Sequence, residues 1–301
     1  MSQAPTSQVA ARRIDLQRFR RGTARTERSS PLLVAGAVII GTLGLIAVFA
    51  DVLAPYDPQD PRAGLPLEQP SASHLLGTND SGQDIFSQLI AGTRPSMLIA
   101  VEAAAVVVLI GGLVGMVAGL VGGWLDTVLM RVADIFMALP GLPMILLVAA
   151  LLGPGPYTVV VVLGLFGWPR LARILRSQAL SLRSRGFLVA AGGFGASPFY
   201  ILRRHLVPAL GPLLVTGFVG VAGIAILIQA GLAFLGLSDP TQVSWGSVLN
   251  RALVYPGLYF SPLWTWWVLP AGVAITIAVL GFTFLGVGLE PRFNPRTRVG
   301  Q

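Results

Sequence analysis

Histidine occurs only at His74 and His205, cysteine is missing, and all 21 basic residues are arginines. These absences remove most of the chemistry that a single chain can do. Without cysteine there is no disulfide and no thiolate metal ligand. Without lysine there is neither a Schiff-base amine nor the phosphate-gripping residue of a P-loop. The two histidines fall in segments read below as lying on opposite sides of a membrane, so they form no two-histidine metal site. No nucleophile elbow or dinucleotide fingerprint stands between a strand and a helix. The expectation is a chain with no catalytic residue and no metal site.

Two acidic features remain to be weighed. Glu102 lies inside a long apolar run, where an ionised group is costly and often functional. It is a candidate for lining a path, where it would meet a cationic group on a passing solute. The plainer alternative is a hydrogen bond to a neighbouring span or partner, or a place near the outer interface. Arg131 and Asp134 are three residues apart and share a helical face, so they are placed to pair, with Asp126 nearby in a short turn.

The elements that must carry these residues follow from composition. Of the residues, 54% are hydrophobic and 11% charged, against about 25% charged in a soluble domain. A helix needs roughly 20 apolar residues to cross the hydrocarbon core. Six segments qualify, over 32–53, 96–120, 128–152, 158–175, 212–237 and 263–289. The fourth carries Trp168, Pro169 and Arg170 late, so its charged end emerges into water. With the N-terminus inside, only Arg62, Arg94 and Arg251 fall outside, a strong positive-inside bias. The net charge of +8 is therefore read as membrane topology rather than nucleic-acid binding. The first span, with its arginines and Val48-Phe49-Ala50, imitates a cleaved secretory signal. Its long charged flank and continuation to Leu53 favour an uncleaved anchor.

The resulting organisation is a cytoplasmic arginine-rich segment over 1–31, a first transmembrane helix over 32–53 and an extracytoplasmic loop over 54–95. A five-helix core over 96–289 and a cytoplasmic tail over 290–301 complete it. In the first outer loop, residues 81–90 place Ile85, Phe86, Leu89 and Ile90 on one helical face, suited to lying on the membrane surface or on a partner. The second outer loop, 238–262, and its edge carry Trp245, Tyr255, Tyr259 and Trp264, read as interfacial anchors. The Gly153-Pro154-Gly155-Pro156 run predicts a tight outer turn.

The remaining cytoplasmic loop, about 182–208, contains VAAGGFGASPFYILRRHLVP over residues 189–208. Its pattern reads helix, break, helix. Residues 187–191 form a short helix in which Ala190 and Ala191 allow close approach. Gly192, Gly193 and Gly195 permit a sharp turn. Ser197 suits an N-cap and Pro198 the first helical position. The second helix runs to about Leu206, with Pro208 at the junction with the fifth span. Arg203 and Arg204 favour its C-terminal end. Such a knob suits docking in a groove on another protein, or is an ordinary interfacial loop.

The segment resembles the EAA loop of ABC-importer permeases: two alanines, a glycine four residues after the second, and a proline thirteen residues later. Here these are Ala190, Ala191, Gly195 and Pro208, followed through Ala196, Ser197, Pro198, Arg203, Arg204 and His205. Arg204-His205-Leu206-Val207-Pro208 resembles the dipeptide/oligopeptide/nickel branch. The blocks HLLGTNDSGQDIFSQLIAGTRPS, GGWLDTVLMRVADIFMALP, GWPRLARILRSQALSLRSR, AGLAFLGLSDPTQVSWGSVLN and FTFLGVGLEPRFNPR are similar to its "C" subunit. One departure stands out: Val189 replaces the glutamate that names the motif.

The resemblance implies an all-α membrane protein with six transmembrane helices, N-in/C-in, of the type I ABC-importer permease fold with a cytoplasmic coupling loop. It implies a homologous "B"-type permease subunit beside it in membrane lipid, two ABC ATPase subunits beneath, and an extracytoplasmic solute-binding protein. ATP and magnesium would be bound by the ATPases, and no cofactor by this chain. The expected location is the bacterial inner membrane and the expected cargo di- or oligopeptides, with nickel chelates, glutathione or other small solutes as alternatives. Two other classes stay open on the residues alone. One is a receptor or scaffold that binds ATPases without transport; the other is a secondary transporter, which needs paired midplane charges or broken half-helices.

Overall fold

A computed structural model describes residues 31–237 and 239–293. Most of the segment 1–31 and of the tail 290–301, with Arg296 and Arg298, lies outside the described residues. Helix α1 (Pro31–Val48) and a short α2 (Ala50–Leu53) lead to an irregular segment. Then come α3 (Ile85–Val121), α4 (Gly123–Ala138), α5 (Gly141–Leu152), α6 (Thr158–Phe166) and α7 (Trp168–Arg183). Next are α8 (Gly186–Gly193), α9 (Pro198–Ile201), a π-turn (Leu202–Leu206), α10 (Val207–Phe234), α11 (Trp245–Val254) and α12 (Val268–Phe293). Among the described residues four helices, Pro31–Val48, Ile85–Val121, Pro198–Phe234 and Pro262–Glu290, are long and apolar enough to cross a membrane alone; counting two bent pairs as spans gives six.

Helix α3 organises the rest. Its 37 residues extend for about 55 Å, well beyond a hydrocarbon core of about 30 Å. Gly111, Gly115 and Gly119 lie four apart on one face and meet α7 backbone to backbone. A Cβ at Gly115 would stand 2.3 Å from the Ala172 carbonyl oxygen, one at Gly111 2.8 Å from that of Trp168, and one at Gly119 2.6 Å from Ala179 Cβ. Small residues at such spacing let helices pack closely where lipid supplies no hydrophobic drive. The paired positions ascend together, so α3 and α7 run parallel. Glycine performs the same service between α1 and α12, where a Cβ at Gly36 would stand 2.4 Å from Leu285 N.

Several expectations are corrected. The helix expected over residues 81–90 as a separate surface element is instead the start of α3. Asp84 caps it by accepting from Ser87 N at 2.7 Å, and the helix passes Pro95 without ending. Its apolar face packs within the chain: Ile85 is buried and clusters with Val248, Ala252, Trp267 and Ala271, while Phe86, Leu89 and Ile90 are half-buried. Trp245 is likewise no interfacial anchor. It is buried, and its indole N–H donates to the Leu89 carbonyl at 3.0 Å. Tyr259 and Trp264 are exposed.

These segments form a cap at one end of the bundle. Arg251 binds Asp80 at 2.7 Å and Gln83 at 2.9 Å, and also Ser81, tying α11 to the turn before α3. The buried pair His74 Nδ1 and Asp84 Oδ1, 3.0 Å apart, fastens the preceding segment to the α3 cap.

The third expected span is not one helix. Helices α4 and α5 meet at 90° across Leu139-Pro140. Hydropathy registers the apolar run but not the corner, which Pro140 and Pro143 impose by removing main-chain donors. The fourth bends by 41° at Gly167, just before Pro169. Asp134 pairs with Arg173 rather than Arg131, and Asp126 with Arg176, whose Nη2 lies 2.6 Å from Oδ2. Helix α7 crosses α4 there and brings guanidinium groups closer to partnership than the local i, i+3 neighbour does.

Overpacking a fitted interface costs about 1–3 kcal/mol. Gly115→Leu should therefore lower the thermal unfolding midpoint of the detergent-solubilised chain. Gly44→Leu, at a position facing open space, should leave it unchanged; equal midpoints for both would refute the packing account.

Candidate partner-docking site

At the end opposite the cap, α7 feeds into a knob formed by α8, α9 and the π-turn. Helix α7 buries Leu171, Ala172, Leu175 and Ala179 and leaves Arg170 and Arg173 exposed. At its end Arg183 Nη1 donates to the Val121 carbonyl at 3.3 Å, placing a cation at the C-terminus of α3 where carbonyls are unpaired. The knob is held to the bundle by Leu188, Ile201, Leu206 and Leu210, which cluster with Met116, Leu171, Leu175 and Ala179.

The turn within the knob has a Schellman geometry. Ala196 N donates to Ala191 O and Gly195 N to Gly192 O, both at 3.0 Å, with Gly195 at φ +81°. A left-handed residue is needed there, which is glycine's property. Ser197 Oγ then accepts from Tyr200 N at 3.2 Å, capping α9, whose first residue is Pro198.

The expected junction at Pro208 is corrected. The chain runs without a break from Pro198 to Phe234, through a π-turn in which Val207 N donates to Leu202 O. A proline in a regular helix strikes the carbonyl four residues back and lacks the N–H to bond it. The widened turn immediately before Pro208 relieves that clash, so the second short helix and the fifth span are one rod.

The residues singled out in the sequence converge on this knob. Val189, Ala190, Gly195, Ser197, Pro198, Arg203, Arg204 and Pro208 are exposed, and Ala191 and Ala196 half-buried. His205 is half-buried between Phe187 and Tyr200, with ring centroids 5.9 and 5.8 Å away. Val189 lines a cleft of about 370 Å3 with Leu120, Val121, Arg183, Leu188 and Gly192. Sequence reasoning missed the aromatic crown: Phe194 is 92% exposed and Phe199 70%, with Phe187 and Tyr200 about half exposed. Four aromatics in a glycine-rich stretch between spans were the available signal, since contiguous exposed apolar surface marks a contact site. No acidic residue occurs between Asp134 and Asp239, and Arg183, Arg185, Arg203 and Arg204 form no ion pair with any described residue, so they give the knob a positive charge.

Glu102 stands apart from the knob. It is exposed on α3, on a stripe with Leu98, Val101, Leu109 and Leu113, and makes no hydrogen bond or ion pair with any described residue. The sequence-based alternative of a bond to a neighbouring span within this chain is therefore not what the fold supplies.

Comparison with known proteins bears on these features. The family profile "Binding-protein-dependent transport system inner membrane component" matches residues 111–299, and "N-terminal TM domain of oligopeptide transport permease C" matches residues 18–70. The oligopeptide transport system permease protein OppC of Bacillus subtilis is 37% identical over 275 residues, covering 90% of this chain and 88% of its own. The dipeptide transport system permease protein DppC of Alkalihalophilus pseudofirmus is 32% identical over 273 residues, with 90% and 88% covered. The glutathione transport system permease protein GsiD of Pectobacterium atrosepticum is 34% identical over 271 residues, with 88% and 87% covered. With its all-helical bundle, these matches show that the chain belongs to the binding-protein-dependent transport system inner membrane components, as a C-type permease subunit of an ABC importer.

Proposed function

We propose that the chain forms half of the translocation path of an ATP-driven importer of di- or oligopeptides, in the bacterial inner membrane. We also propose that its knob receives the motion of a cytoplasmic ATPase. The observation that carries this is the knob itself. Ala190, Ala191, Gly195 and Pro208 keep the spacing of an ATPase-coupling loop. They lie among exposed aromatics in a loop, 182–208, that is rich in arginine and has no acidic residue. The arginine bias supports a cytoplasmic position for this end and for both termini. The cap at the other end then faces a solute-binding protein. A homologous B-type subunit supplies the other half of the path, and two ATPases bind ATP and magnesium.

In this arrangement ATP closes the ATPase pair, the docked knobs move with it, and the continuous rod from Pro198 carries the displacement into the span. Glutathione is the second cargo reading, favoured by the likeness to a glutathione permease. Val189, Ala190, Ala191, Gly195, Ala196, Ser197, Pro198, Arg203, Arg204, His205 and Pro208 are the coupling residues. Glu102, which has no partner among the described residues, is the candidate path carboxylate.

The test is reconstitution of the complete complex in liposomes with its binding protein. ATP-dependent accumulation of labelled peptide is expected; nucleotide-independent uptake, or ATPase binding without uptake, would sink the importer reading. Val189→Glu should leave assembly intact and alter coupled ATP hydrolysis by several-fold at most, whereas complete loss of assembly would show that the family's contact geometry does not transfer. Glu102→Gln should slow uptake of cationic peptides while the complex still assembles. Unchanged uptake would remove Glu102 from the path.

A further inference from the structure

The corner between α4 and α5 poses a solvation problem that the chain does not resolve alone. Helices α3 and α7 run parallel, as the pairs Gly111–Trp168, Gly115–Ala172 and Gly119–Ala179 require. The intervening α4 and α5 must therefore return across the same thickness. Their 16 and 12 residues make legs of about 24 and 18 Å. Set at 90°, two such legs reach about 30 Å from end to end, the thickness of the hydrocarbon core. The pair can cross only if both legs run obliquely, and the corner is then inside the core.

Main-chain groups are unpaired at that corner. Neither helix end has a side-chain cap; Met144 N donates to Pro140 O at 3.2 Å within the first turn of α5, and no main-chain bond crosses from α4 to α5. The carbonyls of the last turn of α4 receive nothing from beyond Ala138. The amides of Gly141 and Leu142 donate to nothing described, and Pro140 and Pro143 have none to offer. The corner is also open: Ala138, Pro140, Gly141 and Pro143 are exposed, Leu142 is 66% exposed and Met137 45%.

Bare carbonyls facing lipid cost several kcal/mol each, and non-helical backbone at membrane depth persists only where protein covers it or water reaches it. The exposed faces of the other spans are dominated by leucine, valine and isoleucine. Their hydroxyls at Thr276 and Thr283 are already bonded to Gly272 and Val279 carbonyls. A polar solute moving along this chain therefore finds few groups to replace its water. We infer that the corner at residues 138–142 lines the aqueous solute route, and that its free carbonyls and amides are the groups met by an amide-bearing solute. This rests on the importer reading and assigns part of the route to main chain rather than to side chains.

The absence of cysteine gives a direct test. Leu142→Cys and Met137→Cys are made singly in the complete permease–ATPase complex, held in lipid nanodiscs that leave both faces accessible. Each is treated with a charged methanethiosulfonate sulfonate. Ser184→Cys, exposed at the end of α7, and Ala149→Cys, fully buried, set the scale. The expected result is that the Leu142→Cys and Met137→Cys thiols react within about tenfold of the Ser184→Cys thiol, with Ala149→Cys at least about a hundredfold slower. Should one replacement prevent assembly, the other gives the reading. Reaction of both thiols only with lipid-soluble N-ethylmaleimide, or with neither reagent, overturns the inference, placing the corner against lipid or inside the partner. Peptide uptake by the same variants, reconstituted in sealed liposomes with the binding protein, keeps the two levels apart. ATP-dependent uptake with silent cysteines sinks the corner and spares the importer, while labelled cysteines without such uptake sink the importer.

Discussion

The contact on which the rest of the fold depends is the close approach of α3 and α7 along Gly111, Gly115 and Gly119. In water, two apolar helices associate because solvent is expelled; in lipid that gain vanishes, and intimate van der Waals packing must take its place. Three glycines in register remove the side chains that would hold the backbones apart. Because α3 begins in the cap and α7 ends in the knob, this one seam fixes the distance between the two ends of the protein.

Charge is distributed in accordance with that geometry. At the cap, Arg251 is saturated by Asp80, Gln83 and Ser81, so its cation serves internal cohesion. Beside the knob, Arg173 and Arg176 are neutralised by Asp134 and Asp126, whereas Arg183, Arg185, Arg203 and Arg204 pair with no carboxylate among the described residues. Exposed aromatics beside unpaired guanidinium groups make a surface that is incomplete in isolation. In the cap, by contrast, Arg251 and His74 each have a carboxylate partner.

Much of this was legible in the residues. The first, fifth and sixth spans follow from hydropathy, and the knob's turn from Gly195, Ser197 and Pro198, because each needs only its own neighbours. What escaped depends on long-range geometry. Trp245 is buried because α11 folds back against α3, and Asp134 finds Arg173 because α7 crosses α4. Pro95 and Pro208 both read as breaks, yet tertiary packing and a π-turn carry the helix through them. Pro140 lay inside an apolar run whose average hydropathy says nothing of direction. The docking proposed for Val189 and its neighbours rests on resemblance more than on physics, since a glycine-rich loop alone fits an interfacial turn equally well.

The π-turn at Leu202–Leu206 has a consequence for phase. A widened turn accommodates one residue more than the regular helix, and each residue of an α-helix advances the azimuth by about 100°. The orientation of Phe199 and Tyr200 relative to the lipid-embedded part of the same rod is thus set by a single extra residue near His205. Knobs of matching sequence but without that widening would present another face to whatever lies beneath. If the knob docks as proposed, compatibility with its partner is in this sense an angular property, stored in helical winding and invisible to any comparison of the contact residues alone.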